Sequence, residues 1–192
     1  MKSVFVALVV TLGITLGVAL PVSHAQAPPQ RIAMHPPAAV AVAPTHIPQA
    51  MLASLEKVFD FRLEAADAKD PLDVWGSTRG LYVEGLGIVF TTELGLIVTP
   101  GMYGFLPKIP DDVIKQVHQR KLKHIPQLED VMKDLMKVSA LSLTPLPDDQ
   151  KIVYAVRMRY LIWEDTTGLP AQITMTADKK SAILGDIHTK VE

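Results

Sequence analysis

The sequence predicts an α+β domain in which helices pack on an antiparallel sheet. Three observations predict it. First, Lys151 to Trp163 alternates: Ile152, Tyr154, Val156, Met158, Tyr160 and Ile162 are all apolar, the period of a strand. Second, Leu52, Leu55, Phe59 and Leu63 recur at spacings of three and four, as do Leu128, Val131, Met132, Leu135 and Val138. That is the period of a helix with one buried face. Third, the order helix, strands, helices, strands is that of a sheet with helices segregated to one side.

The N-terminus reads as a secretory signal peptide, residues 1–27. Lys2 gives a short basic region, Val4 to Leu20 an apolar run, and Ala25-Gln26-Ala27 a cleavage site, with Ala25 the second choice. Residues 28–48 hold six prolines among alanines and valines. Proline lacks the N–H that ladders need, so this stretch reads as a flexible arm. The remaining residues, 49–192, form a single domain.

Pro48 suits a helix start, and the first apolar stripe carries that helix to about Ala66. Asp67, Asp70 and Asp73 follow in a stretch broken by Pro71, Gly76 and Gly80. Leu81 to Leu94 reads as one strand. Its even face is apolar apart from Glu84, and its odd face is bared at Gly85 and Gly87. Leu96-Ile97-Val98 adds a short strand, then glycines and prolines mark a loop. A helix begins at Asp111 or Asp112 along Ile114, Val117, Lys121, Leu122 and Ile125. Pro126 forces a break or kink, and a second helix takes over. After the Lys151 strand, "EDTTGLP" turns the chain and "AQITMT" returns antiparallel, with Ile173 and Met175 on the core side. "ADKKSAILG" is either a further strand or a short helix ended by Gly185.

Composition narrows function by exclusion. The net charge of −1 argues against a globally basic nucleic-acid binder. With no cysteine, no disulfide framework exists, and stability rests on apolar burial. Gly85-Leu86-Gly87 has Phe90 at the third glycine position and no helix after it, which excludes a dinucleotide fingerprint. No Gly-Lys-Ser/Thr follows, which excludes a P-loop. "GLGIVFTTELGLIVTPG" resembles the opening hairpin of trypsin-like proteases of the HtrA type. Pro100-Gly101-Met102-Tyr103 stands directly after Thr99 where that histidine is needed, and no Gly-Asp-Ser-Gly lies downstream, so neither base nor oxyanion hole is supplied. Ser77 has Trp75 where a nucleophile elbow needs glycine.

His118 and His124 are about 240° apart on a helix, so they do not share a face. The spacing of the three aspartates does not fit a calcium loop. No metal site and no cofactor is expected. Lys115 to His124 carries four fixed positive charges, read as a solvated helix face.

The candidate binding residues are Glu84, Arg157 and Arg159. A lone carboxylate on an apolar face needs a partner or an exposed edge. The two arginines project from one side of their strand, where they pair with Glu84, line an anion pocket or face water. No catalytic residue is assigned.

"LYVEGLGIVFTTEL", "EDTTGLPAQITM" and "QRKLKHIPQLEDVMKDLM" resemble uncharacterised secreted bacterial proteins of the acidobacterial type. These share a Tyr-x-x-Gly-x-Gly-x-Val-Phe strand and a Glu-Asp-x-x-Gly-Leu-Pro turn. The resemblance implies a folded, exported domain and brings no activity, ligand or site residue. The expectation is therefore an exported, periplasmic or secreted, non-catalytic binding domain. Its partner is an unknown protein or envelope component, without nucleic acid and without a membrane span after cleavage. The competing readings are a hydrolase with a carboxylate site drawn from Glu84, Asp73 or Glu164, and a self-assembling protein.

Overall fold

The computed structural model describes residues 46–99 and 108–192. The predicted signal peptide, most of the proline-rich arm and residues 100–107 lie outside them. The described elements are α1 (Gln49–Glu64), β1 (Asp73–Val74), β2 (Arg79–Val83), β3 (Gly87–Gly95), α2 (Asp111–Ser142), β4 (Lys151–Met158), β5 (Gln172–Asp178), α3 (Lys179–Leu184) and β6 (His188–Val191). The class is α+β, as the sequence predicts.

The sheet runs β1-β3-β4-β5-β6, with β2 beside β3 along the same edge as β1. It is mixed rather than purely antiparallel. The pair β3–β4 is parallel because α2 carries the chain back to the starting end of the sheet, and the other pairs are antiparallel. The alternation in each strand decides which face is covered. Ile88, Phe90, Thr92 and Leu94 of β3 share one face with Ile152, Tyr154, Val156 and Met158 of β4 and with Ile173 and Met175 of β5. All of these are buried. The stripes of α1 and α2 close over them, with Phe59 at ring-centroid distances of 4.5 Å from Phe90 and 4.7 Å from Tyr154. Each such side chain withdrawn from water contributes ~1.5–3 kcal/mol. The opposite face carries Val89, Thr91, Glu93, Val153, Ala155, Arg157, Thr174 and Thr176, all at least partly exposed.

Helix α1 also blunts a sheet edge. Strand β2 has outward-pointing N–H groups with no strand beside them. Asp60 Oδ1 accepts from Thr78 N at 2.7 Å, and Glu56 Oε1 accepts from Gly80 N at 2.7 Å.

Four expectations are corrected. The stretch 81–94 is a hairpin, not one strand: β2 ends at Val83, and Val83 pairs with Gly87 across a three-residue loop. Gly85 turns that loop at φ +77°. Gly87 serves a different need. A Cβ there would lie 2.0 Å from the Lys151 carbonyl oxygen, so β4 can begin only against a bare backbone. The stretch 96–98 makes no strand, although Leu96 and Ile97 are buried.

Pro126 lies inside the unbroken α2. It sits on the exposed side, as does Leu122, so the carbonyl it leaves unpaired turns toward water while Lys121, His124 and Leu128 hold the other side. Finally, β4 stops at Met158, short of Trp163. Arg159 N still donates to Leu94 O at 2.8 Å, but β3 ends one residue later and offers nothing more to pair with. Ile162, expected on the core face, is therefore fully exposed.

At the far end, "ADKKSAILG" resolves as α3, closed by Gly185 in the left-handed region at φ 84°. Buried Lys179 donates to Leu146 O at 2.7 Å, tying the loop that follows α2 to the start of α3.

Candidate functional site

Two concavities share the residue Trp75, one on the open sheet face and one at its upper rim. The first is a trough of about 370 Å³ on the open face. Register builds its floor. Arg79 stands opposite Thr91, Thr91 opposite Ala155, and Ala155 opposite Thr174. The middle of this row is short side chains, which leaves the trough its depth. One pair further along, Glu93 stands opposite Arg157, and Arg157 opposite Gln172.

Charge is uneven across the trough. Glu93 faces Arg157 at 3.5 Å and Arg159 at 3.3 Å, so one carboxylate is shared by two guanidiniums. Among the described residues Arg79 has no acidic partner.

Trp75 closes one end. Trp75 is 47% exposed and yet held at three points. Its backbone N–H donates to Glu93 O at 2.9 Å, its indole Nε1 donates to Asp73 Oδ2 at 2.8 Å, and the Arg159 guanidinium lies 5.0 Å from its ring centroid.

The second concavity is a cavity of about 60 Å³ beyond the ends of β3 and β4, room for a few water-sized groups. Asp73, Lys121, Tyr160 and Glu164 line it. Lys121 Nζ donates to Glu164 Oε2, and the two side chains are only 2% and 1% exposed. The ammonium also lies 5.0 Å from the Tyr160 ring centroid. Tyr160 donates to Pro170 O at 2.6 Å. Burial, seconded by the Glu164 charge, pushes its phenol up to about 12. The pair pins the segment after β4 to α2.

Beside this pair, Arg120 grips Asp70 through two hydrogen bonds of 2.5 and 3.1 Å, and His124 Nε2 lies 3.1 Å from Asp70 Oδ2. The Arg120 guanidinium holds the Asp70 carboxyl below the usual carboxylate range. His118 turns elsewhere, with Nδ1 2.9 Å from Asp165 O, so the two histidines do not converge. Asp67 Oδ1 accepts from the N–H groups of Lys69 and Asp70, which makes it a turn former. Among the described residues no group of three potential ligands is placed to hold a metal, and no helix is long and apolar enough to cross a membrane.

Of the three candidate binding residues, the structure brings Arg157 and Arg159 together and removes Glu84. That residue lies exposed in the β2–β3 turn, off any apolar face, because the chain reverses there. The partner of the arginines is Glu93. Of the three carboxylates considered for a hydrolase, Asp73 and Glu164 line one cavity and Glu84 does not. Sequence reasoning missed Trp75, Arg79, Glu93 and Lys121. The signal for Lys121 was present, as the one charged residue in the stripe Ile114, Val117, Lys121. Comparison with family models, with curated proteins and with solved structures returns no match.

Proposed function

We propose that the chain is an exported, non-catalytic binding domain whose working surface is the trough on the open face of the sheet. The observation that carries this reading is Trp75. A half-exposed indole fixed by a backbone hydrogen bond, a carboxylate and a guanidinium has lost its freedom before any ligand arrives, which lowers the cost of binding. Export rests on the N-terminal leader pattern. The trough lies within the range of ligand pockets, ~300–1,000 Å³, and its polar groups are fixed by sheet register rather than by a mobile loop.

The test is tryptophan emission during titration with a soluble bacterial envelope fraction. A saturable change is expected, abolished by Trp75→Phe and kept by Trp163→Phe. No saturable change, or one carried by Trp163 alone, overturns the reading.

The convergence of Asp73 and Glu164 favours a second reading, a hydrolase acting at the small cavity. There Glu164 would have to act while bound to Lys121, and Asp73 while accepting from an indole. Hydrolysis of generic ester or glycoside substrates that Asp73→Asn abolishes would establish it in place of the first.

A further inference from the structure

We propose that the ligand of the trough is an acidic oligosaccharide, a chain of sugar rings bearing carboxylates. This rests on the trough being the binding surface and assigns its chemistry.

Charge gives the first reason. Arg79 has no acidic partner among the described residues, and Arg157 shares Glu93 with Arg159. The trough therefore presents guanidinium donors in excess of carboxylates. A guanidinium binds a carboxylate through two parallel hydrogen bonds.

Geometry gives the second. Arg79 and Arg157 lie two strands and one residue pair apart in register. Ideal sheet spacings put their Cα atoms about 12 Å apart. The row from Arg79 runs over the short side chains of Thr91 and Ala155. Glu93 stands on β3 directly opposite Arg157 and pairs with it. A guest therefore reaches Arg79 over a low floor and meets Arg157 beside its carboxylate partner. The separation also suits two acidic groups on neighbouring rings, one for each arginine.

The third reason is the kind of surface. Trp75 offers a fixed aromatic plane against which the C–H face of a sugar ring packs. Thr91 and Gln172 supply hydroxyl and amide groups for sugar hydroxyls. The trough is open along the sheet and lined mostly by strand side chains, which suits a chain lying across it. Phosphate is commonly held by helix N-termini or runs of turn amides. Among the described residues no helix N-terminus lines the trough.

The experiment is calorimetric titration of the full mature chain with tetragalacturonate, and in parallel with its methyl ester, the same rings without charge. The acid is expected to bind and to change Trp75 emission, and the ester to bind at least tenfold more weakly. Arg79→Gln and Arg157→Gln alter exposed side chains, so the fold, checked by circular dichroism, is expected to persist while affinity falls at least tenfold in each. Raising salt from 0.1 to 1 M shortens the screening length from ~10 to ~3 Å and is expected to weaken binding at least fivefold. Equal binding of acid and ester overturns the proposal, as does binding that both glutamine variants retain. If the envelope fraction acts through Trp75 while tetragalacturonate does not bind, the sugar-acid assignment is wrong and the surface stands. If neither acts, both are wrong. Binding of a mononucleotide at the same arginines without binding of the uronide also overturns it.

Discussion

Replacing Lys121 with methionine leaves Glu164 as a lone carboxylate that is almost wholly withdrawn from solvent. The two side chains are 2% and 1% exposed, so neither charge has a full hydration shell to fall back on. Removing one partner of a buried ion pair costs ~3–5 kcal/mol, because the remaining charge stays buried and uncompensated. The ammonium also lies 5.0 Å from the Tyr160 ring centroid. Losing that contact adds ~0.5–2 kcal/mol. Domains of this size have ~5–15 kcal/mol in all. With a urea slope of ~2 kcal/mol per M, the midpoint of Lys121→Met should fall by about 2–3.5 M. Glu164→Leu alone should cost a similar amount. The double variant Lys121→Met, Glu164→Leu is the decisive arm. With both charges gone the desolvation cost vanishes, and the double variant should recover most of the loss. Chemical denaturation of the four proteins at pH 7 provides the cycle. A single-variant cost below about 1 kcal/mol would show that water reaches the pair, and the reasoning would be refuted.

Four further outcomes follow from other parts of the molecule. Gly87→Ala places a Cβ 2.0 Å from the Lys151 carbonyl at a φ of +127°, so it should cost more than ~3 kcal/mol in thermal or urea unfolding. Gly85→Ala has open space and should cost only ~1 kcal/mol. Asp70 has a lowered pKa in the fold, so its stabilisation is complete above its ordinary value of 3.8 and is lost as pH falls below that. Asp70→Asn should accordingly be less stable by ~2 kcal/mol at pH 7, and the gap in urea midpoints should shrink at pH 3. Pro126→Ala restores a backbone hydrogen bond on the exposed side of an unbroken helix, and should raise stability by ~1–3 kcal/mol in the same assay.

The strand and helix periods of this sequence identify the covered face of the sheet almost residue by residue, from Ile88 and Phe90 through Tyr154 to Met175. Burial is a local consequence of alternation, and alternation is legible. Neighbourhood is not. Glu93 was visible as an odd-face residue, and Arg157 as one of an outward pair. That they meet depends on β3 lying parallel beside β4, which is decided by where α2 returns the chain. The same blindness assigned Glu84 to an apolar face. Its parity with Ile88 is real, but the Gly85 turn intervenes, and parity does not carry through a reversal. Pro126 misleads for the opposite reason. A local rule predicts a break, and tertiary anchoring of Lys121, His124 and Leu128 outweighs it. Trp75 had no period to betray it, because β1 is two residues long and its neighbours are turns.

The central claim, that ligand is taken on the open face of the sheet, is tested most directly by amide chemical shifts. Isotope-labelled protein is titrated with the soluble envelope fraction, and each backbone N–H is followed. Movement should concentrate at Trp75, Thr91, Glu93, Ala155, Arg157 and Gln172, with the buried faces of α1 and α2 silent. Movement confined to Lys121, Tyr160 and Glu164, or to the helices, would contradict it.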